Sequence, residues 1–243
     1  MSSGRLIERT YEARLYAPLF YSSAEGRSIR TEPMLSATAL MYALGYRYFG
    51  LEKRYALTGA EATEPSYDHL REMPVFVTDM RPITVDTDER TFRSTDYRSE
   101  RHFTTNDPKL AKRVSGKKSV PEILERSGAA WQTIRNYQGL APGSKFEFTV
   151  WSVDSLPDRP LFRMGIKQTG EFRAQETDLN QLVLNKYLLD EVYGLSTGLL
   201  SELLERSDSF QRGNDPRLQH FVGPEPEYVR EQVLPEVFPD VKQ

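Results

Sequence analysis

Between Arg135 and Ser152 the chain reads RNYQGLAPGSKFEFTVWS, a turn rich in Gly and Pro followed at once by strict alternation. Phe146, Phe148 and Val150 fall on one parity, Glu147 and Thr149 on the other. Successive side chains of a strand point to opposite faces, so this is the pattern of a half-buried β-strand entered through Gly139, Pro142 and Gly143. The chain is thereby committed to a sheet with an apolar face. The stretch Leu6–Ser22 reads as an opening strand: Tyr11, Ala13 and Leu15 share a parity until Pro18 breaks it.

Helical signals accompany the strands. Thr31-Glu32-Pro33 reads as a helix start. From Met34 onward, Ala37, Leu40, Met41 and Leu44 recur at three and four residues, and Gly45 reads as the stop. Val75–Thr78 and Ile83–Val85 are short strand candidates, and Leu161–Phe172 is a hairpin with Gly165 and Gly170 at its bends. Asp178 is placed to cap a helix whose buried face carries Leu182, Val183, Leu184, Leu188, Leu189 and Val192, ended by Gly194. Ser196 caps a second helix with Leu199, Leu200, Leu203 and Leu204. Past Gly213, Pro216, Pro224, Pro226, Pro235 and Pro239 predict an extended strap or a partly disordered tail. The expected organisation is one α+β domain over 1–243, with a basic insertion at 90–128 and a proline-rich acidic tail at 213–243.

Composition removes several chemistries. With no cysteine, disulfides, thiolate metal sites and cysteine nucleophiles are excluded. His69, His102 and His220 lie far apart and form no zinc-ligand pair, whereas a carboxylate-bound magnesium site stays open. No metal or cofactor is expected. Gly116-Lys117-Lys118-Ser119 lacks the first glycine and the preceding apolar strand of a phosphate loop, so the backbone cradle cannot form. GxSxG, GxGxxG and kinase signatures are absent. No apolar run approaches the ~20 residues that cross a bilayer, and the N-terminus has no signal-peptide core. A cytoplasmic, membrane-free location is expected.

Charge is distributed unevenly. From Arg90 to Lys118 there are nine Lys/Arg (Arg90, Arg93, Arg98, Arg101, Lys109, Lys112, Arg113, Lys117, Lys118) against Asp96, Glu100 and Asp107. That local +6 sits in a chain of net charge −3, so the remainder carries −9. A segment that contacts phosphates produces such asymmetry, and so does a solvated loop. Phe92, Tyr97 and Phe103 interleave with the arginines, as they do where unpaired bases stack on rings. Arg163, Lys167 and Arg173 form a second basic set, where Gly165 and Gly170 would let the backbone approach a sugar-phosphate. The plain alternative for this hairpin is an exposed charged strand pair. His102, among these cations, is either a surface residue or a general base for RNA cleavage.

Two segments resemble a known family: TEPMLSATALMYALG at Thr31–Gly45, preceded by LFYSSAEGRSIR, and GLAPGSKFEFTVWS at Gly139–Ser152. Both are similar to the handle-capping subunits, of the RAMP superfamily, in the type I-D CRISPR Cascade complex. The resemblance covers residues 11–50 and 136–172. It implies an RRM-like (ferredoxin-like) core with a thumb-like basic insertion and a C-terminal helical segment. It further implies a non-catalytic subunit that holds the 5′ handle of the crRNA and contacts the Cascade backbone and large subunits. The place where the motif flanking target double-stranded DNA is read lies nearby. In that picture Arg90, Arg93, Arg98, Arg101, Lys112, Arg113, Lys117 and Lys118 belong to the thumb, and Arg163, Lys167 and Arg173 to a loop that touches RNA. A metal-independent endoribonuclease that processes repeat RNA, with His102 as base, is the alternative.

Overall fold

The computed structural model describes residues 5–20, 28–52, 67–94, 133–165, 168–178, 180–213 and 217–241. Its strands are β1 (Ile7–Leu15), β2 (Ser28–Arg30), β3 (Val75–Val77), β4 (Arg81–Thr84), β5 (Thr87–Ser94) and β6 (Thr133–Leu140). There follow β7 (Lys145–Ser152), β8 (Leu161–Met164), β9 (Gly170–Thr177), β10 (Val183–Asn185), β11 (Ser209–Arg212) and β12 (Gln219–Val222). The two longer α-helices are α1 (Ala37–Tyr48) and α2 (Thr197–Glu205).

The main sheet runs β3-β7-β1-β9-β8, every pairing antiparallel, with β4 also on β7. β1 and β3 are thus parallel across β7 and joined through α1. This split β-α-β unit has the strand order of a ferredoxin-like sheet. The second crossover differs: between β7 and β9 the chain forms the strand β8, where a ferredoxin-like fold would carry a helix. The fold is α+β.

β7 is buried from Phe146 to Ser152, so the half-buried strand expected from its alternation is covered on both faces. The inner face is apolar because the alternating residues of four strands meet there. Tyr11 stacks on its register partner Phe148, and Phe162 stacks on Phe172 with 5.2 Å between centroids. Leu40, Met41 and Leu44 of α1 close this layer. The other face is split. Near Trp151 it packs Phe76 and Tyr193, and the C-terminal segment lies over it. Arg230 donates to both Glu8 carboxylate oxygens at 2.7 Å, and the indole N–H of Trp151 donates to the same carboxylate. The Arg230 bond, first among these contacts, holds the Glu8 carboxyl below the usual carboxylate range.

Several expected boundaries move. α1 starts at Ala37, because the Ser36 side chain accepts from the Thr38 N–H while Thr31–Pro33 stays outside the helix. Gly45 lies inside it, where an added Cβ would meet the movable methyl end of Met73 at 2.5 Å and Leu51 beyond it. The helix expected from Asp178 is half strand. Val183–Asn185 pairs with β12, and only then does the Asn185 side chain accept from the Leu188 N–H to open a short π-helical turn, Leu188–Val192. Gly194 (φ +70°) ends it as expected, and Ser196 caps α2 through the Leu199 N–H.

The proline-rich tail, expected as a strap, supplies the central strand of a second sheet, β10-β12-β11, and then a helical run over 226–237. Pro226 occupies its first turn, where no amide bond is lost. Pro235 follows a π-helical stretch, Val229–Val233, that loosens the ladder where a proline would break it. Tyr228, Val229, Val233, Leu234 and Val237 are buried in the same core as β1 and α1.

A fully buried carboxylate joins these parts. Asp79 accepts from the Ala37 N–H at 2.6 Å, from Asn185 Nδ2 at 3.2 Å and from His220 Nδ1 at 2.6 Å. Burial pushes the His220 pKa down, but the Asp79 hydrogen bond and the charges of Asp79 and Glu32 outweigh it, leaving the imidazole above its ordinary value. The protonated form is therefore favoured by folding. Its contribution is full below about pH 6.5 and fades as pH rises through the raised folded value. Asp79→Ala is expected to cost about 3–5 kcal/mol. The stability gap between the native chain and His220→Asn should be wider in denaturant melts at pH 5.5 than at pH 8.5; an equal gap at both would remove the charged pair.

Candidate nucleic-acid interface

The basic insertion grows from a two-stranded ribbon. β5 and β6 pair antiparallel from Thr87↔Leu140 to Ser94↔Thr133, and β2 adds to β6 in parallel. Arg90 and Arg93, expected in an irregular insertion starting at 90, instead stand in β5 opposite Tyr137 and Ile134. Phe92 lies between them opposite Arg135. A strand continuing past 90 was hidden because Arg, Thr and Asp residues mask any apolar alternation there. Arg98, Arg101, Lys112, Arg113, Lys117, Lys118 and Lys167 lie outside the described residues, as do Tyr97, His102, Phe103 and the short helix expected at Val120–Arg126.

The root of this ribbon and the β8–β9 hairpin meet at Leu19-Phe20. Leu19 bridges to Leu140 through paired backbone bonds of 3.0 and 2.9 Å. A Cβ at Gly139 would lie 2.5 Å from the Leu19 carbonyl oxygen. One at Gly165 (φ +86°) would lie 2.5 Å from a Leu19 methyl and 2.7 Å from the Phe20 carbonyl oxygen. Gly170 meets the same methyl at 2.6 Å. In this structure the close approach at both hairpin glycines is made by the chain's own Leu19-Phe20 segment. The clasp holds the root of the ribbon, at Gly139-Leu140, against the β8–β9 hairpin.

Arg163 and Arg173 do come together. β8 and β9 pair Arg163 with Glu171 and Leu161 with Arg173. Glu171 accepts from Arg163 at 2.9 Å and from Arg173 at 3.2 Å. These two bonds, Arg173 first, hold its carboxyl below the ordinary range. Two further residues complete the group, and the sequence reading passed over both. Arg14 is the β1 partner of Arg173, and Tyr16, 49% exposed, carries the Arg173 guanidinium 4.5 Å from its ring centroid. Arg14 approaches the same ring at 5.8 Å. The parity of Tyr11, Ala13 and Leu15 points Arg14 outward, but nothing local reveals a neighbour almost 160 positions away.

Deeper on the same face Glu147 is only 5% exposed. It pairs with Arg81 at 3.3 Å and accepts from the backbone N–H groups of Asn180 and Gln181, where the link from β9 to β10 crosses the sheet. The polar member of the β7 alternation is therefore structural. Among the described residues no group of three His, Asp or Glu is placed to hold a metal ion, and no helix is long and apolar enough to cross a membrane.

The described residues form an α+β fold around an antiparallel sheet, and the sequence defines the family. Residues 6–190 match the family model for type I-D CRISPR-associated protein Cas5/Csc1, and the chain belongs to this family. That is the family the two sequence segments resemble. No curated protein matches the chain. Among solved structures, a chain in the cryo-EM structure of the type III-B Cmr-beta bound to cognate target RNA and AMPPnP is similar at 8% identity and TM-score 0.31. The likeness covers 71% of this chain and 64% of that one, and at this TM-score it carries no inference.

The clasp is open to a direct test. Gly165→Ala sets a methyl against the Phe20 carbonyl in a left-handed backbone conformation. It should lower the unfolding free energy by about 1–3 kcal/mol, read from the midpoint of a denaturant titration. An unchanged midpoint would mean that Leu19-Phe20 yields without cost.

Proposed function

We propose that this chain is a non-catalytic, crRNA-binding subunit of a type I-D CRISPR surveillance complex. In this reading the main sheet is an RRM-like core and the segment carried by β5 and β6 is the thumb of a single RAMP-type domain. The thumb holds the 5′ handle of the crRNA through Arg90, Arg93, Arg98, Arg101, Lys112, Arg113, Lys117 and Lys118. Arg163, Lys167 and Arg173 contact the same RNA from the hairpin. The subunit bridges the backbone and large subunits beside the place where the motif flanking the DNA target is read, in the cytoplasm.

Family membership over residues 6–190 is the observation that carries this reading. Two features support it. The root of the β5–β6 ribbon, whose strands flank the rest of the +6 segment, meets the Arg163/Arg173 hairpin at the Leu19-Phe20 clasp, and in this reading both basic sets address one strand of RNA. Lys and Arg neutralise phosphates whatever the base, which suits a subunit that holds RNA rather than cuts it.

The reading is tested by binding to repeat-derived single-stranded RNA over a range of salt. Replacing Lys112, Arg113, Lys117 and Lys118 together should make the slope of log K against log salt shallower by about 2.8, about 0.7 for each lost phosphate contact. An unaltered slope removes the arm from the interface. The RNA should stay intact in the presence of the chain; cleavage that His102→Ala abolishes would mark an endoribonuclease instead. Affinity purification from the native host should recover crRNA sharing a 5′ handle together with the backbone and large subunits, and recovery without them overturns the assignment.

A further inference from the structure

The open part of the outer face is laid out in two rows. Register places Lys145, Arg14, Arg173 and Leu161 abreast on β7, β1, β9 and β8. Directly opposite residues on neighbouring strands point to the same side. The second row holds Tyr16, Glu171 and Arg163: the Tyr16 N–H donates to the Glu171 carbonyl oxygen at 2.8 Å, and Glu171 is the register partner of Arg163. With strands about 4.8 Å apart, the three cations of the first row span about 10 Å.

Like charges opposite one another weaken a sheet. Here three cations stand side by side with Arg163 one row away, and two carboxylates answer them, Glu12 on Lys145 at 2.9 Å and Glu171 shared by Arg163 and Arg173. Four cations against two acids leave +2 on this patch of a chain whose net charge is −3. A local conflict with folding of this kind marks places where function sets the residue choice. Tyr16 stands at the edge of the cations with half its surface open. Its ring carries the chemistry for stacking a base, and the guanidiniums around it carry the chemistry for the flanking phosphates.

We propose that Tyr16, bordered by Arg14, Arg173 and Arg163, is a stacking platform for one unpaired base of a single-stranded RNA, with Glu171 as the internal competitor that the RNA phosphates displace. The proposal rests on the RNA-binding reading above and adds to it one base, one ring and one competing carboxylate. Charge complementarity selects the occupant, because a polyanion relieves the repulsion within the cation row. An acidic protein would also relieve it, but would not need a flat ring among the guanidiniums.

Two substitutions move affinity in opposite directions. Tyr16→Ala should weaken binding of the full chain to a labelled single-stranded repeat RNA by roughly 5- to 150-fold, the range for one lost stack, and Tyr16→Phe should restore it. Glu171→Gln frees two guanidiniums and should tighten binding at low salt. The decisive readout is a series of RNAs with a single abasic site moved along the strand. At one position, and only there, the abasic RNA should bind the native chain and Tyr16→Ala equally, since the stacked base is already gone. A loss through misfolding would persist at every position.

Tyr16→Ala binding as tightly as the native chain overturns the platform. So does a Tyr16→Ala defect that no abasic site erases, and so does weaker binding by Glu171→Gln. If the native chain binds and the variant with Lys112, Arg113, Lys117 and Lys118 replaced shows the shallower salt slope while Tyr16→Ala is silent, the platform fails and the RNA-binding reading stands. No binding by the native chain overturns both.

Discussion

Asp79 is the point through which the two halves of the structure are held in register. A carboxylate withdrawn wholly from water is tolerated only when nearby donors replace its hydration. Here the donors come from three places: the first amide of α1, Asn185 on β10 and His220 on β12. The helix terminus adds the positive end of its dipole. None of these elements adjoins another in sequence, so each must be in position for the charge to be satisfied. The same connection closes on α1 by backbone, where Leu35 and Met80 exchange hydrogen bonds, and on β10, where Asp79 N–H donates to Val183. Asn185 then uses its side-chain oxygen to start the following turn. One carboxylate therefore couples the α1 layer to the C-terminal sheet.

Where periodicity is local and unopposed, the fold was legible from sequence. β1, the β8–β9 hairpin and α2 all carry short apolar patterns with flanking breakers, and all occur near the expected positions. The misreadings share a physical cause. Leu182, Val183 and Leu184 form an apolar run too short to separate helix from strand by period. Pairing with β12, nearly forty residues on, decides it. Gly45 imitates a stop, yet the helix runs through it to Tyr48. The terminal prolines suggest extension, yet Pro226 and Pro235 both lie in the first turn of a helical segment, where a proline is accepted.

The candidate interface was legible in composition and opaque in geometry. Excess Lys and Arg in 90–118 and around Gly165 stand out in any count of charge. That Glu171 is shared between Arg163 and Arg173, or that Tyr16 lies under Arg173, depends on the register of β1, β8 and β9. At the glycines of the hairpin, what composition could not show is that Leu19 and Phe20 are their near neighbours. The family comes from the sequence match over residues 6–190, while which side chains stand together comes from the register and the distances.

The ribbon that bears the basic segment ends, in its described part, with Ser94 directly opposite Thr133. Among the described residues β2 reaches only Asn136, Tyr137 and Gln138 of β6, so the pairs from Phe92↔Arg135 to Ser94↔Thr133 rest on two strands alone. A two-stranded ribbon is marginal in water by itself, so whatever lies along those pairs also decides how firmly they are held.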